Sequence, residues 1–305
     1  MSDVDIMESP IDMAFVGLNG IYPSSDDDLD LGGGFSLVKP NDFLLSARSE
    51  YFMGKGEFKD AATAHRYLIY RHSRSESGQR PTRGAIVANL QNGLLAFQII
   101  KPVQSLGLIF SGTDHGTPQF NLERIERRGP TDAGEWAWMR HFEDGLLSYV
   151  PDMIRRVLAV MADQSAERKN ALSFLQLGLE HRHPLIAGLL WVTGLEALLN
   201  SNGRYDFKKK VSACLGADTF AFPDWNSPVF SPPNTTVSDI ALDLFMLRNT
   251  LAHGLDLRKA ASNEKTPVDL LKTVSLTTWS QPTQYCFFLS EAACYLLGAV
   301  LQKTL

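Results

Sequence analysis

The segment 184–199, Pro-Leu-Ile-Ala-Gly-Leu-Leu-Trp-Val-Thr-Gly-Leu-Glu-Ala-Leu-Leu, is the most apolar stretch of a 305-residue chain. It is too short to cross a bilayer, which needs about 20 apolar residues, and it carries Glu196. It therefore predicts a buried helix, with Leu185, Leu189, Val192, Leu195 and Leu199 as the enclosed stripe and Glu196 at its edge. The Asn-Ser-Asn-Gly run at 200–203 suits its stop. A carboxylate at the edge of such a stripe needs a counterion, because burying it unpaired is costly. Arg248 and the run Lys208, Lys209 and Lys210 are the candidates.

The helical pattern extends in both directions from this segment. Ile154, Val157, Leu158 and Met161 recur at helical spacing, and so do Leu172, Leu175 and Leu179. A further helix spans about 205–215 and stops at Gly216. The loop 217–233 holds Pro223, Pro228, Pro232 and Pro233. Another helix opens at Thr236 or Ser238 as N-cap and runs to His253, with Gly254 placed for a left-handed C-cap. A last helix covers about 281–303. The first half reads differently. Apolar runs at 13–18, 84–90 and 95–100 are each bounded by Gly, Pro, Asn or Asp, as strands are. Gln91-Asn92-Gly93 between the last two is a hairpin signal. Residues 61–70 suggest a helix, and 23–34 and 73–84 suggest polar loops. The expected class is α+β, a strand-rich mixed domain over 1–147 followed by an all-α domain over 148–305.

Composition narrows the function classes. Hydrophobic residues at 44% and charged residues at 21% are ordinary for a soluble globular chain. A net charge of -5 argues against a bulk electrostatic grip on nucleic acid but leaves room for a local basic groove. Cys214, Cys286 and Cys294 show no CxxC spacing, which fits buried thiols in a reducing compartment better than disulfides or zinc. The acidic start, Met1-Ser2-Asp3-Val4-Asp5, lacks the pattern of a signal peptide, so a cytoplasmic protein with no membrane segment is expected. His181-x-His183 offers no third metal ligand. Asp26-Asp27-Asp28-Leu29-Asp30 lacks the glycine and distal glutamate of a calcium loop. Gly32-Gly33-Gly34 is not followed by the Lys and Ser or Thr of a phosphate-binding loop. No metal or cofactor is expected.

The residues that carry chemistry close the helix ending at His253. Val237, Ile240, Ala241, Leu244, Leu247 and Leu251 form one apolar stripe. A second stripe runs Leu242, Met246, Asn249 and His253, which makes Asn249 and His253 neighbours one turn apart. Arg248 lies between the stripes, and its long side chain reaches the same cleft. A helix apolar on two sides suggests two packing partners, one of them a second protomer. Arg66 and His72 also stand within a similar spacing, but Tyr67 occupies the position after the arginine, and the pair reads as a chance match.

The Leu-Glu-Ala-Leu-Leu helix, the Lys-rich helix, a variable loop and Arg248-Asn249-x-x-x-His253-Gly254 together resemble the HEPN superfamily, closest to its ApeA-like branch. The resemblance covers about 172–257 and departs from the pattern in the long Pro-rich loop. It implies an all-helical domain that dimerises so that two Arg-x-x-x-x-His motifs share one cleft. It also implies metal-independent RNA cleavage in defence, toxin or stress roles, with Arg248 and His253 catalytic and Asn249 supporting. The residue chemistry suits that role. A histidine moves protons near neutral pH, a guanidinium steadies a phosphate as its charge grows, and the asparagine amide orients either one. Lys208, Lys209 and Lys210 are candidate RNA contacts, and Glu196 is a supporting residue. The alternative is a non-catalytic HEPN module that dimerises and binds nucleotide, RNA or a protein partner.

Overall fold

A computed structural model describes residues 11–41, 44–45, 50–51, 53–72, 81–115, 120–127, 142–163, 165–181, 183–219, 236–252 and 282–305. They fall into two compact units. One takes residues up to 97, 103–131 and 140–158, and the other takes 98–102, 132–139 and everything from 159. The architecture is α+β, a six-stranded antiparallel sheet followed by a helical region.

The sheet has the order β3-β4-β5-β1-β6-β7. Its strands are β1 (Ile11–Asn19), β3 (Leu29–Gly32), β4 (Phe35–Val38), β5 (Arg66–His72), β6 (Gln104–Asp114) and β7 (Asn121–Arg127). A separate short parallel pair joins β2 (Ile21–Tyr22) to β8 (Phe142–Glu143). The apolar run at 13–18 is legible as a strand because it lies in the middle of the sheet, paired with β5 on one side and β6 on the other. Strands covered on both faces lose the alternation of a half-exposed strand. Met13 and Phe15 point into a core with Val38, Tyr67, Ile69 and Phe110, closed by Phe58 and Ala61 of α1 (Lys55–Ala62). Phe15 stacks on Phe110 with ring centroids 4.7 Å apart. The opposite face, carrying Ala14 in register with Tyr70 and, beyond it, Phe35, is covered by α2 (Arg83–Ile100).

Helix α2 corrects the expectation of two strands and an Asn-Gly hairpin at 84–100. Asn92 and Gly93 lie inside one continuous helix that begins after Thr82, whose hydroxyl accepts the Ala85 N–H at 3.2 Å. Gly93 is there for closeness. A Cβ at that position would stand 2.8 Å from Phe35 Cδ1, so the helix rides on the ring. A second correction falls at 61–70, where α1 ends at Ala62 and Arg66 already opens β5. Tyr67, Leu68 and Ile69 are all fully enclosed beside β1, and this is a setting for aromatic and β-branched residues in a strand. The expected polar loop at 23–34 also contains β3. The triple glycine turns the β3–β4 hairpin with φ values of +77°, +61° and +84°. Of the expected loop 73–84, residues 73–80 lie outside the described set, and 83–84 belong to α2.

The helical elements follow the sequence reading closely. They are α3 (Val150–Ala162), α4 (Ala166–Glu180), α5 (Pro184–Leu199), α6 (Arg204–Leu215), α7 (Val237–Ala252) and α8 (Pro282–Thr304). Helix α5 is the hub of the second unit, packed against α4, α6, α7 and α8. Its enclosed side chains are Ala187, Trp191, Val192 and Leu195, whereas Leu185, Leu189 and Leu199 are only half-buried. The expected stripe was rotated because Gly178 of α4 lets the Trp191 indole lie against that helix, its Nε1–H donating to Leu175 O at 3.2 Å. Asn200 stops α5 in the left-handed region at φ +47°.

Candidate functional site

Helix α7 is built to hold a polar end in place. Thr236 and Asp239 form a reciprocal cap. Thr236 N and Oγ1 both donate to Asp239 Oδ2 (2.9 and 2.6 Å), and the Asp239 N–H returns to Thr236 Oγ1 (3.3 Å). This arrangement satisfies amides that the first turn of a helix otherwise leaves open. Downstream, Val237, Ile240, Ala241, Leu244 and Leu247 of the first stripe are fully enclosed, whereas Leu251, expected in the same stripe, is half-buried. The second stripe, Leu242, Met246 and Asn249, is half-buried. The helix thus has one committed face and one partly covered face.

The register of that stripe brings Arg248 out toward α5. Arg248 Nε lies 2.8 Å from Glu196 Oε2, and Arg248 Nη1 donates to Asn249 Oδ1 at 2.6 Å. The guanidinium also stands over the Phe245 ring, 5.8 Å from its centroid. Glu196 Oε2 is buried without a well-angled hydrogen bond, so the contact to Nε is an ion pair more than a directed bond. Burial raises the Glu196 carboxyl above its usual range, and the Arg248 charge pulls it partly back. Of the candidate counterions for Glu196, Arg248 is the one in contact. Its Nη2 has no partner among the described residues, and the side chain is 32% exposed. Nε and Nη1 are therefore held in place on a side chain that is still partly open to solvent, which suits the guanidinium to an anionic ligand.

His253 follows Ala252, the last residue of α7, and lies outside the described residues together with Gly254. Arg248, Asn249 and Glu196 are brought together. The three lysines are not equivalent. Lys210 is tied down, its Nζ 2.9 Å from Asp206 Oδ2 and 2.6 Å from Asn200 O. That contact, with the Asn202 N–H, holds the Asp206 carboxyl below its ordinary range. Lys208 is half-buried and Lys209 exposed.

The remaining sequence candidates resolve into local structure. Arg66 and His72 occupy opposite ends of β5, in register with Leu18 and Asp12. Six residues of strand separate them by about 20 Å, too far to share one phosphate. In the acidic loop, Asp26 pairs with Lys39 at 2.8 Å, Asp28 accepts the Lys39 N–H and Asp30 the Gly32 N–H. The His183 N–H donates to His181 Nδ1 at 3.2 Å. Among the described residues no group of three or more His, Cys, Asp or Glu could hold a metal. Cys214 and Cys294 are free thiols, the latter buried. No helix among them is long and apolar enough to cross a membrane. Comparison with protein families, with curated proteins and with solved structures found no match.

Proposed function

We propose that the chain is a metal-independent endoribonuclease of the HEPN type, acting as a homodimer on RNA in the cytoplasm, in a defence, toxin or stress role. The observation that carries this reading is the guanidinium of Arg248 near the end of α7, held by Glu196 and Asn249 while its side chain stays partly exposed. Arg248 would clamp the scissile phosphate through the exposed part of its guanidinium. The RNA 2′-oxygen gives up its proton to a base and attacks phosphorus, and the bond from phosphorus to the 5′-oxygen breaks. His253 supplies the proton that the departing 5′-oxygen takes up. The second copy's motif provides the opposite proton transfer. The products are a 2′,3′-cyclic phosphate and a free 5′-hydroxyl. The sheet-bearing unit would sense a trigger or position the substrate.

A second reading has its own support. Arg248 is already paired with Glu196, so the same contact can serve only to fix α7 on α5 in a non-catalytic module that dimerises and binds nucleotide, RNA or a protein partner. Incubating a structured RNA in EDTA with the wild type, Arg248→Ala and His253→Ala separates the two. The nuclease reading expects cleavage by the wild type alone, with loss on the order of 100-fold or more in each variant. Equal cleavage by all three removes it, and a dimer that cuts nothing in any condition supports the second reading. A monomer at micromolar concentration contradicts both.

A further inference from the structure

The outward side of α6 carries more than a lysine run. With Phe207 and Val211 fully enclosed, the helical repeat places Tyr205 and Lys209 one turn apart on the outward side, flanked by Arg204 and the half-buried Lys208. Tyr205 is 66% exposed, an unusual investment of a large ring in solvent. The Arg204 guanidinium lies 4.6 Å from its centroid, with Nη2 donating to Tyr205 Oη at 3.0 Å. Asp206 is the carboxylate of this helix, and it is consumed by Lys210 and the Asn202 N–H. Arg204, Lys208 and Lys209 therefore stand without an ion-pair partner among the described residues, on a chain whose net charge is -5. On its inner side α6 is joined to the motif helix, because the Phe207 ring lies 5.8 Å from Phe245, the ring under Arg248.

We infer that this side of α6 is a docking platform for single-stranded RNA, an unpaired base stacking on Tyr205 while Arg204, Lys208 and Lys209 follow the flanking phosphates. The inference rests on the reading of the chain as RNA-directed and specifies the substrate as an unpaired strand. An exposed ring flanked by cations is the arrangement that holds single strands without reading their sequence, since every base offers a face to stack and every nucleotide a charge. A duplex hides its base faces and would use the cations only. Lys210, although it belongs to the same run, takes no part, because its ammonium is committed to Asp206 and Asn200 O.

The test is binding of a short fluorescent oligoadenylate to the full chain in EDTA, in a His253→Ala background, across a salt series. Tyr205→Ala should weaken binding by at least about five-fold and Tyr205→Phe should leave it unchanged, since the ring does the stacking. Replacing Lys208 and Lys209 together by Ala should flatten the log–log salt dependence by about 0.7 per lost phosphate contact. In an Asp206→Asn background Lys210→Ala should stay within about two-fold of Asp206→Asn alone, a difference near the noise of such affinities. A self-complementary duplex should compete more weakly than the single strand. Circular dichroism of each variant verifies the fold. The proposal is overturned if the parent does not bind the oligonucleotide, if Tyr205→Ala binds as tightly as the parent, or if Lys210→Ala in the Asp206→Asn background loses as much as the Lys208/Lys209 pair. Binding without cleavage in EDTA by the wild type would keep the platform and remove the nuclease. Arg248-dependent cleavage unaffected by Tyr205→Ala would do the reverse.

Discussion

Gly178→Ala is the most informative single change to the scaffold that holds Arg248. Gly178 sits on α4 beneath the Trp191 indole, and an added Cβ would lie 2.6 Å from Cε2 and 2.7 Å from Cδ1 of that ring. These are atoms of a rigid and fully enclosed ring, since Trp191 is 1% exposed, so the ring can yield only by moving α5 off α4 or leaving its rotamer. Overpacking of this kind costs about 1–3 kcal/mol. Losing the Nε1–H bond to Leu175 O adds about 1 kcal/mol. Against this, alanine in place of glycine favours a helix by about 1 kcal/mol. The net expectation is a loss of about 2 kcal/mol, read as a lower denaturation midpoint by far-UV circular dichroism with an unchanged slope. Gly56→Ala in α1 is the matched control, because nothing lies within 4 Å of its added Cβ. It should gain about 0.5–1 kcal/mol. In a Trp191→Phe background the Gly178→Ala penalty should shrink by more than about 1 kcal/mol, as coupled neighbours do. If Gly178→Ala proves as stable as Gly56→Ala, or its cost persists when the indole is gone, the account of how α5 is seated is wrong.

Two further expectations concern charge. Because burial raises the Glu196 carboxyl above its ordinary value of 4.5, its ionised form is disfavoured in the fold, and this contribution to stability is lost as pH rises from about 4.5 through the raised value. Glu196→Gln should therefore flatten that part of the stability–pH curve. It should also lower cleavage in EDTA by about ten-fold if Arg248 needs its carboxylate for aim. A curve that keeps its full slope would show that another group titrates there. In the sheet unit, Arg83 Nη1 meets Asp12 at 2.9 Å and Nη2 meets Glu123 at 2.6 Å. With Asp12 2% exposed, Arg83→Ala strips a counterion from an enclosed carboxylate and should cost about 3 kcal/mol. Adding Asp12→Asn should restore part of it, and a cost below about 1 kcal/mol would mean that the pair is effectively solvated.

The helical half was legible because its punctuation is local. Pro184, Gly216 and the Thr236-to-Asp239 cap each mark a boundary through the backbone of their own segment. The sheet half was less so. Asn92-Gly93 looks like a turn to any local reading, and only Phe35, distant in the chain, explains a glycine in mid-helix. Tyr67 to Tyr70 joined the wrong element for the same reason, since their strand character comes from β1. At the site, the link from Glu196 to Arg248 followed from the cost of burying a carboxylate. The platform on α6 escaped notice because Arg204 and Tyr205 acquire meaning only once the inward side of that helix is known and Asp206 is seen to be spent on Lys210.

The position of β1 bears on how this chain is made. It is synthesised before both of its partners, which lie roughly 50–60 residues later in β5 and 85–100 later in β6. Until both have emerged, an apolar strand waits with two open edges, and such edges invite pairing with other chains. Pairings this distant in sequence also form slowly. Nascent chains halted between β5 and β6 should therefore be those most dependent on chaperones, and shortened forms ending there the most prone to aggregate.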